Sequence, residues 1–331
     1  MIKIESGFSS LQKKSVTLNV LALEHYNRLI TEKGRYTNTP LKALKAELKV
    51  ENEKSEHERD SLKIEFLQKI TDVNEFKKII VSPLKEFQSI FDDYEKFESL
   101  FVDKKHEHYL KLFGYSRIRK MIMMYTFALD LGIKTCPYCN NHYTLTIKKS
   151  KKANLHFDHF FSKSKYPFLS LSYFNLIPCC STCNTTKSSK EFNTKDYIHP
   201  YLNSLNDKFN FTTDKMSIID MILKGEKSLD NVSIIMSPKK GFEEIVNRHD
   251  EAFNLTEIYN EHKDVVFEVY SKQYIYTDAF VETLQKTFSK EFSEKEIEKF
   301  LLGNYTLTSE INNRPLSKLM QDILSDAKKG K

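Results

Sequence analysis

The chain lacks any run of about eighteen consecutive apolar residues, so no membrane-crossing helix is expected. Met1 to Ser10 contains no apolar core of the kind a secretory leader needs, and a cytoplasmic protein is the expectation. No internal repeat and no long low-complexity linker is visible, which excludes a solenoid or a tethered array. Cysteine is scarce and confined: five in 331 residues, all within the 48 residues from Cys136 to Cys183. Structural disulfides would be more widely spread, and the cytoplasm rarely maintains them. Grouping in CxxC pairs points to a metal site.

Acidic residues are nearly missing from that same stretch. Lys134 to Lys195 holds ten lysines against two acids, Asp158 and Glu191, a local charge of +8. The whole chain carries +6, so the remainder sums to −2. Cations gathered beside a candidate site suit a polyanionic ligand. A solvated lysine-rich surface is the plain alternative, and charge alone does not decide between them. What is present in quantity is apolar, at 40% of residues, enough for a real core and for two or three domains at this length.

Residues 1–132 read as a helical region. Leu18, Leu21, Ala22 and Leu29 share one face of a 3.6-residue period, with Tyr26 at its edge, and predict a helix ending near Lys33-Gly34. The long charged stretch Leu41–Ile70 predicts an exposed helix, as one member of a helical pair. Further helices are expected at 73–80, 83–101 and 105–131, with Gly132 as the stop. Residues 133–196 change character. His142–Lys148 and Asn154–Phe161 read as strands joined by a lysine-rich turn, and Asn175–Lys187 as a loop entering a short helix. Residues 197–331 read as mixed α/β passing to helical. Strands are expected at 207–211, 217–222 and 231–236, and helices at 242–259, 276–286, 293–302 and 315–328 with Pro315 in the first turn.

The chemistry-bearing strings are CPYC at 136–139, HFDHF at 156–160 and FNLIPCCSTCNTTK at 174–187. Cys136, Cys139, Cys180 and Cys183 form the regular pairing and would hold a structural Zn²⁺ with no open position. Cys179 is left over, and replaces a neighbour if the register differs. The alternative is five reduced, buried cysteines.

With Asp158-His159 between the two pairs, the segment from Cys136 to Lys190 resembles the HNH family of ββα-metal nucleases. The family pattern is a DH pair on a strand, an Asn on the following loop, and a His or Asn after the last cysteine, here Asp158-His159, Asn175 and Asn184, with Lys187 behind. The resemblance implies metal-dependent hydrolysis of phosphodiester bonds in DNA, with RNA left open. His159 would be the general base, since a neutral imidazole accepts a proton near neutral pH. Asp158 and Asn184 would bind Mg²⁺ or Mn²⁺, which favour oxygen donors. Asn at the third position departs from the commoner His. Asn175 would brace the hairpin and orient His159, and Lys187 would neutralise a phosphate oxygen. Adjacent strand residues point to opposite faces, so it is the family, not the spacing, that implies Asp158 and His159 meet.

Lys163 and Lys165 are further candidates for phosphate contact. His156 and His142 are read as structural or solvent-facing. The string DHFFSKSKYPFLSLSYFNLIPCCSTCNTTKS at 158–188 is also similar to the PtuB-type nucleases of bacterial Septu anti-phage systems and their retron-associated relatives. That narrower likeness implies a defence role beside an ABC/SMC-like ATPase partner. The fold expected is α+β, mainly α-helical, with a zinc-stapled HNH module at 133–196 inserted between helical regions. The competing reading is a catalytically silent zinc-stapled protein that binds nucleic acid or serves as a scaffold.

Overall fold

A computed structural model of the chain describes residues 3–32, 36–225 and 228–329. The chain opens on a hairpin that no sequence pattern had marked, β1 (Ser6–Ser9) with β2 (Lys14–Thr17). Helix α1 (Leu18–Ile30) buries Leu18, Leu21, Ala22, Tyr26 and Leu29, the stripe that the periodicity predicts. It ends at Ile30, ahead of Lys33-Gly34, which lie outside the described residues. The charged stretch that follows, expected as one exposed helix, divides into α2 (Pro40–Glu53) and α3 (Ser61–Thr71), which pack against each other. Thr39 caps α2 and Asp60 caps α3, each accepting a backbone N–H three residues on. Helix α4 (Val73–Val81) matches its expected span.

The two longer helices expected next are broken. Within 83–101 only α5 (Phe87–Tyr94) is α-helical, flanked by tighter 3₁₀ turns. The stretch 105–131 divides into α6 (His106–Leu112), α7 (Tyr115–Ile118) and α8 (Ile122–Leu131). Gly114, at φ +69°, makes the first break, and Gly132, at φ +64°, stops α8 as expected. Aromatic packing organises this region: Phe66 meets Tyr94, Phe97, Phe101 and Tyr109, all edge-on.

The central stretch holds two hairpins where one was expected. Strand β3 (Leu145–Ile147) pairs with β4 (Lys152–Asn154) around the lysine-rich turn. Strand β5 (His156–His159) leaves that hairpin and pairs antiparallel with β6 (Leu176–Cys179), setting Asp158 opposite Ile177 and His159 opposite Leu176. Helix α9 (Ser181–Lys187) completes a ββα unit. Asn175 to Lys187, expected as loop and helix, thus also contains a fully buried strand.

After it come β7 (Phe209–Thr213), α10 (Lys215–Lys224) and β8 (Ile234–Pro238), the two strands forming a hairpin. The strand expected at 217–222 is helical, because Asp214 caps the backbone N–H groups of Met216 and Ser217. The helix expected over 242–259 divides at Asn254, φ +54°, into α11 (Glu243–Phe253) and α12 (Leu255–Asn260). Then follow α13 (Lys263–Ile275), which was not foreseen, α14 (Asp278–Thr287), α15 (Glu294–Leu302) and α16 (Ser317–Lys328). Pro315 stands before the cap residue Leu316 and not inside the first turn.

The fold is mainly helical with four separate two-stranded antiparallel sheets among the described residues. No helix of the described residues is long and apolar enough to cross a membrane. One apolar core draws on most of these elements, whereas β1, β3, β4 and α14 contribute no residue to it. Gly7 is required where β1 meets the end of α8, since a Cβ there would lie 2.3 Å from the Asp130 carbonyl oxygen.

The C-terminal part is stitched to the first cysteine pair by Asn140, which is buried at φ +52°. Its side-chain amide donates to Thr135 Oγ1 (3.1 Å) and Ile311 O (2.8 Å), its side-chain oxygen accepts from Lys318 N (3.1 Å), and its backbone oxygen accepts from Leu316 N (2.8 Å). Tyr259 Oη adds a bond to Cys139 O (2.5 Å). Asn140→Ala strands three buried partners at once. Urea denaturation should register a loss of about 1–3 kcal/mol, and an unchanged midpoint would mean that the stitch is not structural.

Three histidines, His25, His199 and His249, are fully enclosed, and burial pushes them from 6.5 down to about 4, 3 and 4 respectively. The unfolded chain therefore binds more protons than the folded one between these values and 6.5. Folding stability should be free of this penalty above pH 6.5 and fall as the pH drops from 6.5 toward 4. His25→Gln should make that fall shallower in urea titrations, and a fall of equal steepness would remove His25 from the account.

Candidate functional site: a four-cysteine knuckle and a cationic cleft

Cys136, Cys139, Cys180 and Cys183 are all buried, and their sulfur atoms lie within 4.8 Å of one another. A tetrahedral Zn²⁺ with Zn–S near 2.3 Å requires sulfurs about 3.8 Å apart. Cys139 and Cys180 stand at 3.9 Å. Backbone N–H groups of Asn141 and Cys183 point at the sulfurs of Cys139 and Cys180, both at 3.4 Å. Four converging sulfurs with amide support are the donor set of a closed structural zinc site. Cys179 lies outside the cluster, and burial pushes its thiol well above its usual value, so it stays protonated. The register that left it over is the one the fold adopts.

The ββα unit grows from this knuckle. Cys180 caps α9, so the helix is anchored at its start by two candidate zinc ligands. At its other end Lys187 turns inward and is 1% exposed. Its ammonium reaches Asp158 Oδ1 at 3.2 Å and donates to the His159 carbonyl at 2.7 Å, with the Phe192 ring 4.7 Å away. Tyr138 Oη, from within the first cysteine pair, donates to Asp158 Oδ2 at 2.8 Å. Burial still pushes the Asp158 carboxyl above its ordinary value, against the pull of Lys187 and Tyr138. Lys187 therefore does not face a phosphate, as expected from the sequence, but sits inside as the counter-charge of Asp158.

His159 Nε2 is 3.0 Å from the Ser170 carbonyl. In the neutral tautomer that nitrogen carries the proton and donates it, leaving Nδ1 as the acceptor. Burial, aided by the Lys163 charge, lowers His159 from 6.5 to about 3 and keeps the ring neutral. Tyr115 stands edge-on to it at 4.6 Å. Asn175, fully buried, works one step back. Its side chain accepts from Phe161 N (2.7 Å) and donates to Phe161 O (3.1 Å) and Leu169 O (3.2 Å), closing the loop that presents Ser170.

Asp158, His159 and Asn184 open together into a cleft of about 720 Å³, with His156 and Lys163 also on its wall. The half-buried Asn184 makes no side-chain hydrogen bond among the described residues. Its oxygen and the free lone pairs of Asp158 are hard donors that could take Mg²⁺ or Mn²⁺. Lys165 does not line the cleft and pairs instead with Glu191 at 3.2 Å. Sequence reasoning missed Tyr138, Tyr115, Arg119 and Ser170. Tyr138 had a signal in its place inside CPYC. The others reach the site from regions distant in sequence or through the backbone alone.

Residues 136–190 match the family model of the HNH endonucleases. The match covers roughly a sixth of the chain and is to the family as a whole. No curated protein and no solved structure matches the chain. The segment thus carries an HNH module with a four-cysteine site suited to zinc, which suggests a metal-dependent nuclease.

Because metal binding and folding are coupled in such knuckles, Cys180→Ser should lose bound zinc and melt earlier, whereas Cys179→Ala should retain wild-type zinc content by elemental analysis. Equal zinc in both variants would disprove the assignment of ligands.

Proposed function

We propose that this protein is an HNH endonuclease that hydrolyses phosphodiester bonds in DNA in a metal-dependent reaction. The observation that carries the reading is the setting of His159, a neutral imidazole fixed through Nε2 by Ser170 beside Asp158 and Asn184 in an open cleft. In this reading Nδ1 of His159 takes a proton from a water molecule. The water oxygen bonds to phosphorus as the bond to the 3′ oxygen breaks, and the leaving oxygen gains its proton from solvent. Asp158 and Asn184 would hold a divalent cation, which would supply counter-charge to the phosphate and the leaving oxygen. Asn175 and Ser170 are positioning groups, acting through the orientation of His159. Lys187 and Tyr138 hold the Asp158 carboxylate in one rotamer.

The similarity of residues 158–188 to PtuB-type nucleases supports a further step: a role in anti-phage defence beside an ABC/SMC-like ATPase, with the helical regions 1–132 and 197–331 as docking surfaces. The competing reading, a silent module that only binds nucleic acid, draws on one observation. Both Asp158 oxygens already hold a hydrogen bond, from Lys187 and Tyr138.

A supercoiled-plasmid assay separates the two. Wild type should nick or linearise the plasmid with Mg²⁺ or Mn²⁺ and not with EDTA, and His159→Ala should cut at least ~100-fold more slowly while keeping its fold. Equal cutting by the variant would transfer the activity away from His159.

A further inference from the structure

The ββα unit contributes only part of the cleft wall. Besides Lys163, the cations lining it are Arg119 and Lys120, from the link between α7 and α8, and Lys151 and Lys152, from the turn and second strand of the β3–β4 hairpin. Asp158 is the one acid on the wall, and its charge is already met by Lys187. None of the five cations forms an ion pair among the described residues, whereas Lys165, just outside, has Glu191. Lys163 is half-buried, with its ammonium 5.1 Å from the centre of the Tyr115 ring, which in turn abuts His159. Burial and the nearby Arg119 charge both press Lys163 toward losing its proton. Arg119, Lys120, Lys151 and Lys152 are exposed and only Lys163 is half-buried, so the cleft presents unpaired like charges to solvent, whose mutual repulsion a bound anion lowers. A single phosphate group could answer only one or two of the five. A polymer with a charge at every step could answer them all.

We infer that Arg119, Lys120, Lys151 and Lys152 form a phosphate-binding wall that grips the DNA backbone beyond the phosphate being cut, so that the α7–α8 link and the β3–β4 hairpin are substrate-binding elements of the nuclease. The inference rests on the nuclease reading for the identity of the polyanion. Such contacts carry no base information and depend steeply on salt, with log K losing about 0.9 of slope for each duplex phosphate contact removed. Lys163, against the Tyr115 ring that abuts His159, is a further unpaired cation of the cleft.

The test is fluorescence anisotropy with a short labelled DNA duplex, from about 50 to 200 mM salt, in a His159→Ala background so that nothing is cut. Arg119→Ala/Lys120→Ala and Lys151→Ala/Lys152→Ala should each weaken binding about tenfold or more at low salt and flatten the salt slope by about 1–2. Lys290→Ala/Lys295→Ala, exposed and absent from the cleft wall, should bind like the background. Circular dichroism checks that each variant is folded, and Lys151→Glu/Lys152→Glu offers a stronger effect at the same exposed positions. Unchanged affinity and slope in both wall variants would overturn the inference, as would no binding of the duplex by the background protein. The plasmid assay is scored separately. Wild type that cuts while the wall variants bind normally removes the wall alone. Wild type that never cuts while the wall variants lose binding removes the nuclease reading and leaves the wall standing.

Discussion

The interaction on which the site depends is the buried ammonium of Lys187 held between the Asp158 carboxylate and the His159 carbonyl. Two opposite charges have been taken from water, which is expensive, and removing either alone would leave the other unpaired at a cost of about 3–5 kcal/mol. The pair ties the end of α9 to β5, while Cys180 and Cys183 tie its beginning to the cysteine knuckle. A helix of seven residues has little stability of its own. Clamped at both ends, it becomes the rigid third side of the ββα unit and carries Asn184 into the cleft. With Lys187 committed to Asp158, the cations that line the cleft come from other elements.

The module does not stand by itself. The loop between β5 and β6 carries the Ser170 carbonyl that orients His159, and the N-terminal helices hold that loop. Phe161 packs on Phe87 and Phe91, Tyr166 on Phe91, and Phe168 stacks on Tyr94 at 4.6 Å. His25 of α1 reaches the carbonyl of Leu171, next to Ser170, at 3.0 Å. From the other side, Tyr259 and the start of α16 fasten the first cysteine pair. The orientation of one imidazole is thus distributed over helices that bear none of the motif, which gives the flanking regions a structural reason to be there whatever else they bind.

What could be read from the sequence followed from local chemistry. Two CxxC pairs specify four sulfurs whatever the path between them, whereas Asp158-His159 was marked as a candidate site by its resemblance to a family pattern. The face of α1 was legible because five apolar residues repeat at helical spacing. What was not legible required knowing which distant groups meet. The pairing of β5 with β6 spans a sixteen-residue loop and carries no turn signature. Burial of Lys187 depends on Asp158 lying opposite, and nothing about a lysine after NTT marks it as interior. The stretch Ser217–Ile222 is a short apolar run that suits strand or helix equally, and the capping Asp214 decided it. Helix α13 is rich in β-branched Val265, Val266 and Val269, which weaken helix propensity, and packing against α16 overrides them.

Asn140 has one more consequence, in time instead of space. Its side chain accepts a hydrogen bond from Lys318, a residue 178 positions later in the chain. At ordinary rates of synthesis the ribosome needs about 10–35 s to cover that distance. Lys187 precedes Lys318 by 131 positions, so for the last ~7–26 s of that interval a nascent chain contains every cysteine and every residue of the motif, yet its knuckle lacks the segment that fastens it. Completion of the site thus waits on translation: α16, made well after the motif, is the helix that locks the first cysteine pair.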